Sequence, residues 1–401
     1  MAMDTVTSLL DSIADVGRDP GRGGYTRPVY SAAERDLRAW FTEQAGRRGL
    51  AVETDRNGIL WAWWGEPQRG ALVTGSHLDS VPGGGAFDGP LGVASALVAV
   101  DLLKARGVQP NRSLAVTVFP EEEGSRFGVA CLGSRLLTGA IDADRARNLK
   151  DDDGNSLADV ARINGLDPQH LGRDEDALGR IGDFVELHVE QGRGLGEDGP
   201  AVAVGSSILG HGRWKLSICG QGNHAGTTLM EDRRDPMVAA AQVVLAVKQV
   251  AAQTKDARAT VGRLQPVPGG TNVIASRVDL WLDVRHPQDE VTAQLVEAIH
   301  GKAQKIAAFE GCQATLAEES FSGTVHFDAA LQRQVQNALP GAPVLPTGAG
   351  HDAGVLAGFV PSAMVFVKNP TGISHSPEEH VEDADADAGA GALADVLEAL
   401  L

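Results

Sequence analysis

Short apolar runs at residues 71–74, 114–119, 184–189 and 363–367 alternate with helix-period segments, and this alternation restricts the fold more than any other feature of the chain. Strands separated by helices predict an α/β layer built on a largely parallel sheet. Residues 71–74 lead into Gly75-Ser76-His77, and the turn Gly83-Gly84-Gly85 precedes a helix predicted over 91–105 and ended by Gly107. The run at 114–119 stops at Pro120, before three consecutive glutamates, and the run at 184–189 stops at Gln191-Gly192. In such sheets ligands collect at the carboxyl ends of the strands. His77, Glu122, Glu123 and His188 all fall there.

Around Gly210 the pattern changes. Strands are expected at 214–219, 259–264, 278–284 and 312–317, with helices at 235–252 and 291–309, the first opened by Asp235-Pro236. That order is the split βαβ plan of a four-stranded α+β domain. It ends near Gly323, after which α/β patterning resumes. The expected architecture is therefore a discontinuous catalytic domain, 1–209 with 325–401, carrying an inserted domain at 210–324. Residues 382–392, rich in Ala and Asp, read as a solvated loop before the final helix.

A chain of 401 residues, 43% apolar, is long enough for two domains with ample cores. A formal net charge of −18 argues against nucleic acid or an acidic membrane surface as partner. Cys131, Cys219 and Cys312 are far apart with no Cys-x-x-Cys spacing, which predicts buried free thiols in a reducing, cytoplasmic setting. The first residues lack a signal-peptide core, and no stretch reaches the roughly 20 apolar residues of a membrane span.

Seven residues have the chemistry of a two-metal hydrolytic site: His77, Asp79, Asp88, Glu122, Glu123, His188 and His375. Each stands beside glycine or at the end of an apolar run. Two imidazoles and two carboxylates can hold one zinc ion; a further imidazole and a spare acid suit a metal pair with a base left over for water. Every signal has a bland counterpart. His77-Leu78-Asp79 is a weak motif in which the acid can orient the imidazole. Asp88 could be a helix cap, although a carboxylate can also bridge two cations. Glu121-Glu122-Glu123 could be a solvated loop; as an extended run it would point neighbouring acids apart, one to metal and one to water. His188, sharing a strand face with Glu186 and Glu190, could be an ordinary half-buried histidine, and His375 an exposed loop residue. His351, in Gly-His-Asp-Ala, could be a substrate contact or a helix-start residue. Five such signals at glycine-marked strand ends of one domain are not independent accidents.

Taken in order, GSHLDSVPGGGAFDGPLG, PEEEGSRFG, ELHVEQG, GNHAGTT, DVRHP, GAGHDA and GISHSPEE resemble the dinuclear-metal amidohydrolases that include N-carbamoyl-L-amino-acid hydrolases, allantoate amidohydrolases and β-ureidopropionases, within the zinc aminoacylase and carboxypeptidase class. The resemblance runs from about Gly24 to the last helix. It implies two divalent ions per subunit, zinc first, with manganese, cobalt or nickel as substitutes. His77, Asp88 and His188 would hold one ion and Asp88, Glu123 and His375 the other, with Asp88 bridging. Glu122 would be the general base and acid, and Asp79 the orienter of His77. The inserted domain, a lid and dimerisation module in this family, would supply His224 to polarise the carbonyl. It would also supply Asn272 and Arg285 to bind substrate, Arg285 gripping a carboxylate, while Gln191 and His351 would line the pocket. The implied activity is hydrolysis of the carbamoyl or ureido C–N bond of a small carboxylate-bearing substrate by a homodimer. Rival readings are a dipeptidase or N-acyl-amino-acid deacylase with the same metals, or a silent scaffold. Leu229, Ala275-Ser276 and Ser376 depart from the family's usual residues, and none is an expected ligand.

Overall fold

Strands Leu114–Phe119, Ala71–His77, Ile181–Val189 and Ser362–Val367 lie side by side and parallel in the computed structural model, which describes residues 3–401. The apolar runs read from the sequence thus form the centre of one nine-stranded sheet. Leu60–Trp64 and Val202–Ile208 flank this parallel core, each antiparallel to its neighbour. Strand Ala71–His77 runs further than its apolar part, with all seven residues buried. Gly75 makes that possible: a Cβ there would lie 2.8 Å from the carbonyl carbon of Thr117 on the adjacent strand.

Helix Pro90–Ala105 begins with proline at its first turn and buries every residue from Pro90 to Val100. A helix apolar on all sides must be covered on all sides. Strands Ala71–His77 and Ile181–Val189 cover one face, and helices Val6–Asp11 and Asp383–Leu400 cover others. Gly92 lets the helix backbone approach the sheet, since a Cβ there would collide with the Leu187 carbonyl oxygen and lie 2.8 Å from Ser76 Cβ. Residues 383–392, expected as loop, belong to the final helix, with Ala386, Gly389, Ala390 and Ala392 buried. Small residues give that helix a face flat enough to press on Val367, while Asp383 and Asp385 suit its positive N-terminus.

The chain divides into two units, one of residues up to Ser207 with His326–Leu401, the other Ile208–Val325. The second unit is an antiparallel sheet in the order Gln313–Ser322, Gly210–Cys219, Arg277–His286, Arg258–Val267. Helices Pro236–Ala252 and Asp289–Phe309 pack on it around Leu216, Ile218, Val243, Val247, Leu280, Leu282, Leu295 and Ile299. Inward residues alternate along the two central strands, Gly210–Cys219 and Arg277–His286, as one-sided burial demands. A short ribbon pairing Asn223–His224 with Val273–Ile274 had no sequence signal. All three cysteines are free, and Cys219 is exposed where burial was expected, because it ends a strand on the outward register. Among the described residues no helix is long and apolar enough to cross a membrane.

Candidate metal centre

Sheet register brings the first two imidazoles together. Thr74 pairs with Val185, so three residues further along each parallel strand His77 and His188 stand abreast, with ring centroids 5.7 Å apart and planes 23° from parallel. Both rings are buried. Each Nδ1 meets a backbone carbonyl at 3.0 Å, that of Asp79 for His77 and that of Val189 for His188. A carbonyl can only accept, so Nδ1 carries a hydrogen, and Nε2 is the nitrogen left facing the acids. That is how metal-bound histidines are held.

Asp88 lies between them at the entry to helix Pro90–Ala105. Its Oδ1 is 3.4 Å from His77 Nε2 and 3.2 Å from His188 Nε2, while its Oδ2 is 3.4 Å from His375 Nε2. His375 Nε2 is also 3.4 Å from Glu123 Oε2. The two oxygens of one carboxylate therefore face two different donor groups: His77, Asp88 and His188, then Asp88, Glu123 and His375, each closing within 4.8 Å. His77 Nε2, His188 Nε2 and Glu123 Oε1 are buried without a hydrogen-bond partner. Buried polar atoms left unpartnered in this way cost about 1–3 kcal/mol each unless a hydrogen-bond partner or a cation engages them. The donor set, three imidazoles and two carboxylates converging on two points, fits a pair of divalent cations.

Glu122 is buried beside this set, with Oε2 3.7 Å from His77 Nε2. Its other oxygen lies 3.4 Å from the Cys131 thiol, which donates to it. Asp79 positions the glutamates more than the imidazole. Its carboxylate accepts from the backbone N–H of Glu122 and of Glu123, both at 3.2 Å, whereas its Oδ1 is 3.7 Å from His77 Nδ1. The expected orientation of His77 is made by the Asp79 backbone carbonyl. The three glutamates are neither extended nor solvated: Glu121 adopts a left-handed φ of 56°, and its carboxylate is buried, accepting from Arg126 N–H at 2.9 Å and Phe127 N–H at 2.6 Å. His375, exposed on one side, also has a left-handed φ of 57°, uncommon for a residue with a side chain and concentrated at functional sites.

The electrostatics follow from so many acids in one buried place. Burial pushes the Glu122 carboxyl well above the usual range despite the His77 charge, and raises Glu123 to about 7 with help from Asp88. Burial also works against a charged His77, but Glu122, Asp88 and Asp79 outweigh it and hold a proton on the ring. Asp88 goes the other way: desolvation would raise it, but the His188, His375 and His77 imidazoles around it together outweigh that and keep it ionised. The bond to Asp88 lifts His375 to about 9. Without cations, protons must neutralise the cluster; bound cations would displace them.

Gln191 stands within this group rather than in a separate pocket. Its Nε2 donates to Asp88 Oδ2 at 2.9 Å and lies 3.3 Å from His375 Nε2. His351 is buried against His188, with ring centroids 4.4 Å apart and neither ring nitrogen partnered. Burial, then the His188 charge, keeps it neutral. Glu186, His188 and His351 also close within 4.8 Å, but both Glu186 oxygens are engaged, by Ser76 Oγ and the Ala353 N–H. His224, Asn272 and Arg285 belong to the second unit. His224 and Asn272 are neighbours, the Ala225 N–H bonding the Asn272 carbonyl at 3.0 Å, and His224 is exposed. Arg285 lies on strand Arg277–His286, its Nε and Nη2 donating to the two Asp283 oxygens at 2.7 and 2.9 Å. Cys131, Glu186 and Asp352, all buried close by, were not singled out from the sequence as site residues.

A profile for Peptidase family M20/M25/M40 matches residues 73–399. An N-carbamoyl-L-amino acid amidohydrolase of Geobacillus stearothermophilus is 37% identical over 96% of this chain and 95% of its own length. An allantoate amidohydrolase of Bacillus subtilis is 31% identical over 98% of this chain and 97% of its own. The crystal structure of an amidase of the hydantoinase/carbamoylase family from Burkholderia multivorans superposes with a TM-score of 0.86 at 31% identity, covering 99% of this chain and 97% of that one. The matched stretch spans every candidate ligand from His77 to His375, and the chain belongs to Peptidase family M20/M25/M40.

Proposed function

We propose that this protein hydrolyses the carbamoyl or ureido C–N bond of an N-carbamoyl-L-amino acid or an allantoate-type ureido acid. One observation carries the reading: Asp88 turns its two oxygens to two separate donor groups, with Glu122 beside them and belonging to neither. The likeness to two full-length amidohydrolases supports the substrate class.

A ureido carbonyl is a poor electrophile and neutral water a poor nucleophile. Two divalent cations held by His77, Asp88, His188, Glu123 and His375 would polarise the carbonyl and acidify a water, with zinc, manganese, cobalt or nickel all acceptable to imidazole and carboxylate donors. The chain's own residues then have three tasks. Glu122 takes the water's proton at a carboxylate oxygen and returns it to the departing nitrogen. Its Oε1, near the Cys131 thiol, is the better-anchored oxygen, which leaves Oε2 for the proton. His224 donates to the developing oxyanion. Arg285, oriented by Asp283, recognises the substrate carboxylate through a charged planar fork, and Asn272 adds a polar contact. Gln191 and neutral His351 line the pocket, and a carbamate product would break down to carbon dioxide and ammonia.

The second unit would act as lid and dimer contact. Leu229, Met230, Met237, Val238 and Leu245 expose large apolar side chains there, which supports a homodimer. Free cysteines support a reducing cytoplasm. The test is ammonia release from allantoate, ureidopropionate and several N-carbamoyl-L-amino acids, with each metal added in turn. Ammonia from at least one, dependent on metal, is expected. Free amino acids from N-acyl substrates, with no ammonia from any ureido acid, would replace this reading with a deacylase.

A further inference from the structure

Two candidate ligands nearly three hundred residues apart in sequence, Asp88 and His375, sit on turns that share one anchor. Glu379 is buried, and its Oε1 accepts from the backbone N–H of Phe87 and of Asp88, both at 3.0 Å. Its Oε2 is 3.3 Å from Ser374 Oγ, which is itself 3.3 Å from Asp88 Oδ2. The hydroxyl has one proton for these two oxygens; with Asp88 Oδ2 committed to a cation, Glu379 is the acceptor that remains. The Glu379 N–H bonds the Ser376 carbonyl at 3.1 Å, closing the turn that directly follows His375, while the Ser374–Glu379 contact spans His375 itself. The opposite wall has been shaped to receive this side chain: a Cβ at Gly85 would lie 2.6 Å from Glu379 Cβ and collide with its carboxylate. One carboxylate thus ties the turn that presents Asp88 to the loop that presents His375.

We propose that Glu379 is a positioning residue for the metal pair, setting the spacing between Asp88 and His375 and hence the site those two residues make with Glu123. This rests on the two-cation reading given above. The chemistry required is that of a hydrogen-bond acceptor, not of a charge: both backbone donors meet a single oxygen, and a glutamine amide oxygen could replace it. His77 and His188 are oriented independently, through the carbonyls of Asp79 and Val189. Asp88 serves both positions, but only the one it makes with Glu123 and His375 depends on the anchor at two of its ligands, so loss of the anchor should weaken that position more than the one held by His77 and His188.

The experiment compares Glu379→Ala and Glu379→Gln with the parent protein. Metal-free chains are titrated with zinc or manganese, and ions per chain are read by mass spectrometry after dialysis. Amide exchange at Phe87 and Asp88 is followed in the metal-free proteins. Glu379→Ala is expected to keep one ion, bind the second about 10–100-fold more weakly, and exchange both amides fast. Glu379→Gln should restore both ions and slow exchange, a rescue that a charge-based role would not show. Two tightly bound ions and protected amides in Glu379→Ala would overturn the proposal, as would a Glu379→Gln chain that behaves like Glu379→Ala. If Glu379→Ala does not fold, Glu379→Met against Glu379→Gln makes the same comparison, methionine having the length but no comparable acceptor. A parent chain that binds fewer than two ions defeats the two-cation reading instead, and amide exchange still judges the anchor separately.

Discussion

Replacing Glu122 with glutamine removes a proton acceptor and almost nothing else. The side chains have the same shape. The backbone N–H of Glu122 keeps its bond to Asp79, and the amide oxygen can still accept from Cys131. Glu122 belongs to neither ligand group, so both donor sets survive the change. A positioned general base contributes about 10²–10⁴ in rate, so the variant should lose roughly 10³-fold in kcat, about 4 kcal/mol of transition-state stabilisation. Stability should move the other way. Burial and the neighbouring acids Asp352, Glu123 and Asp88 make the ionised form costly in the fold. An acid whose folded pKa lies above its unfolded one loses stability as pH rises, so in the metal-free chain a neutral amide should melt no lower than the parent at neutral pH. The assay is steady-state ammonia release with metal content measured on the same preparations, and melting temperature measured on the metal-free chains. Near-normal kcat at full metal occupancy would refute the assignment of Glu122 as base. A loss of activity accompanied by loss of metal would refute its separation from the ligands.

Arg285→Ala should raise KM for carboxylate-bearing substrates by about 10–100-fold while sparing an amide version of the same compound; equal damage to both would remove the carboxylate role. Stripping metal with a chelator should abolish turnover, restored by added divalent ion, and should lower the melting point. A ligand at 100 times its Kd is worth about 2.7 kcal/mol of folding free energy, and an unchanged melting curve would argue that the five donors hold nothing. Gly92→Ala should destabilise the fold by about 1–3 kcal/mol, read by denaturant titration, because its Cβ meets the backbone of Leu187 rather than a side chain that can turn away. A cost below about 0.5 kcal/mol would mean that helix and sheet can separate more easily than their contact suggests.

Much of the site was legible because parallel-sheet proteins place chemistry at strand ends, and strand ends are marked in the sequence by glycine, proline and a break in apolar runs. His77, the glutamates after Phe119 and His188 were found that way. The common face of Glu186 and His188 followed from strand alternation, and both are buried on it. Composition misled where it stood for environment. The Glu121–Glu123 run reads as solvated, yet backbone N–H groups from the loop after it fold back onto Glu121 and bury it. The Ala- and Asp-rich stretch after residue 382 reads as loop because its hydrophobicity is low, but small side chains bury by close approach rather than by area.

What the chain determined by itself was the inventory: which donors exist, in what order, and at the ends of which strands. Side-chain period and turn residues are local properties, and a string of letters records them. Which oxygen of Asp88 faces which imidazole was decided only by the tertiary structure, as were the Asp79 carboxylate's choice of two glutamate N–H groups and the tie from Glu379 to a turn 291 residues away. Those relations depend on inter-strand register and on loops that close only when distant segments have packed, and no local pattern encodes either.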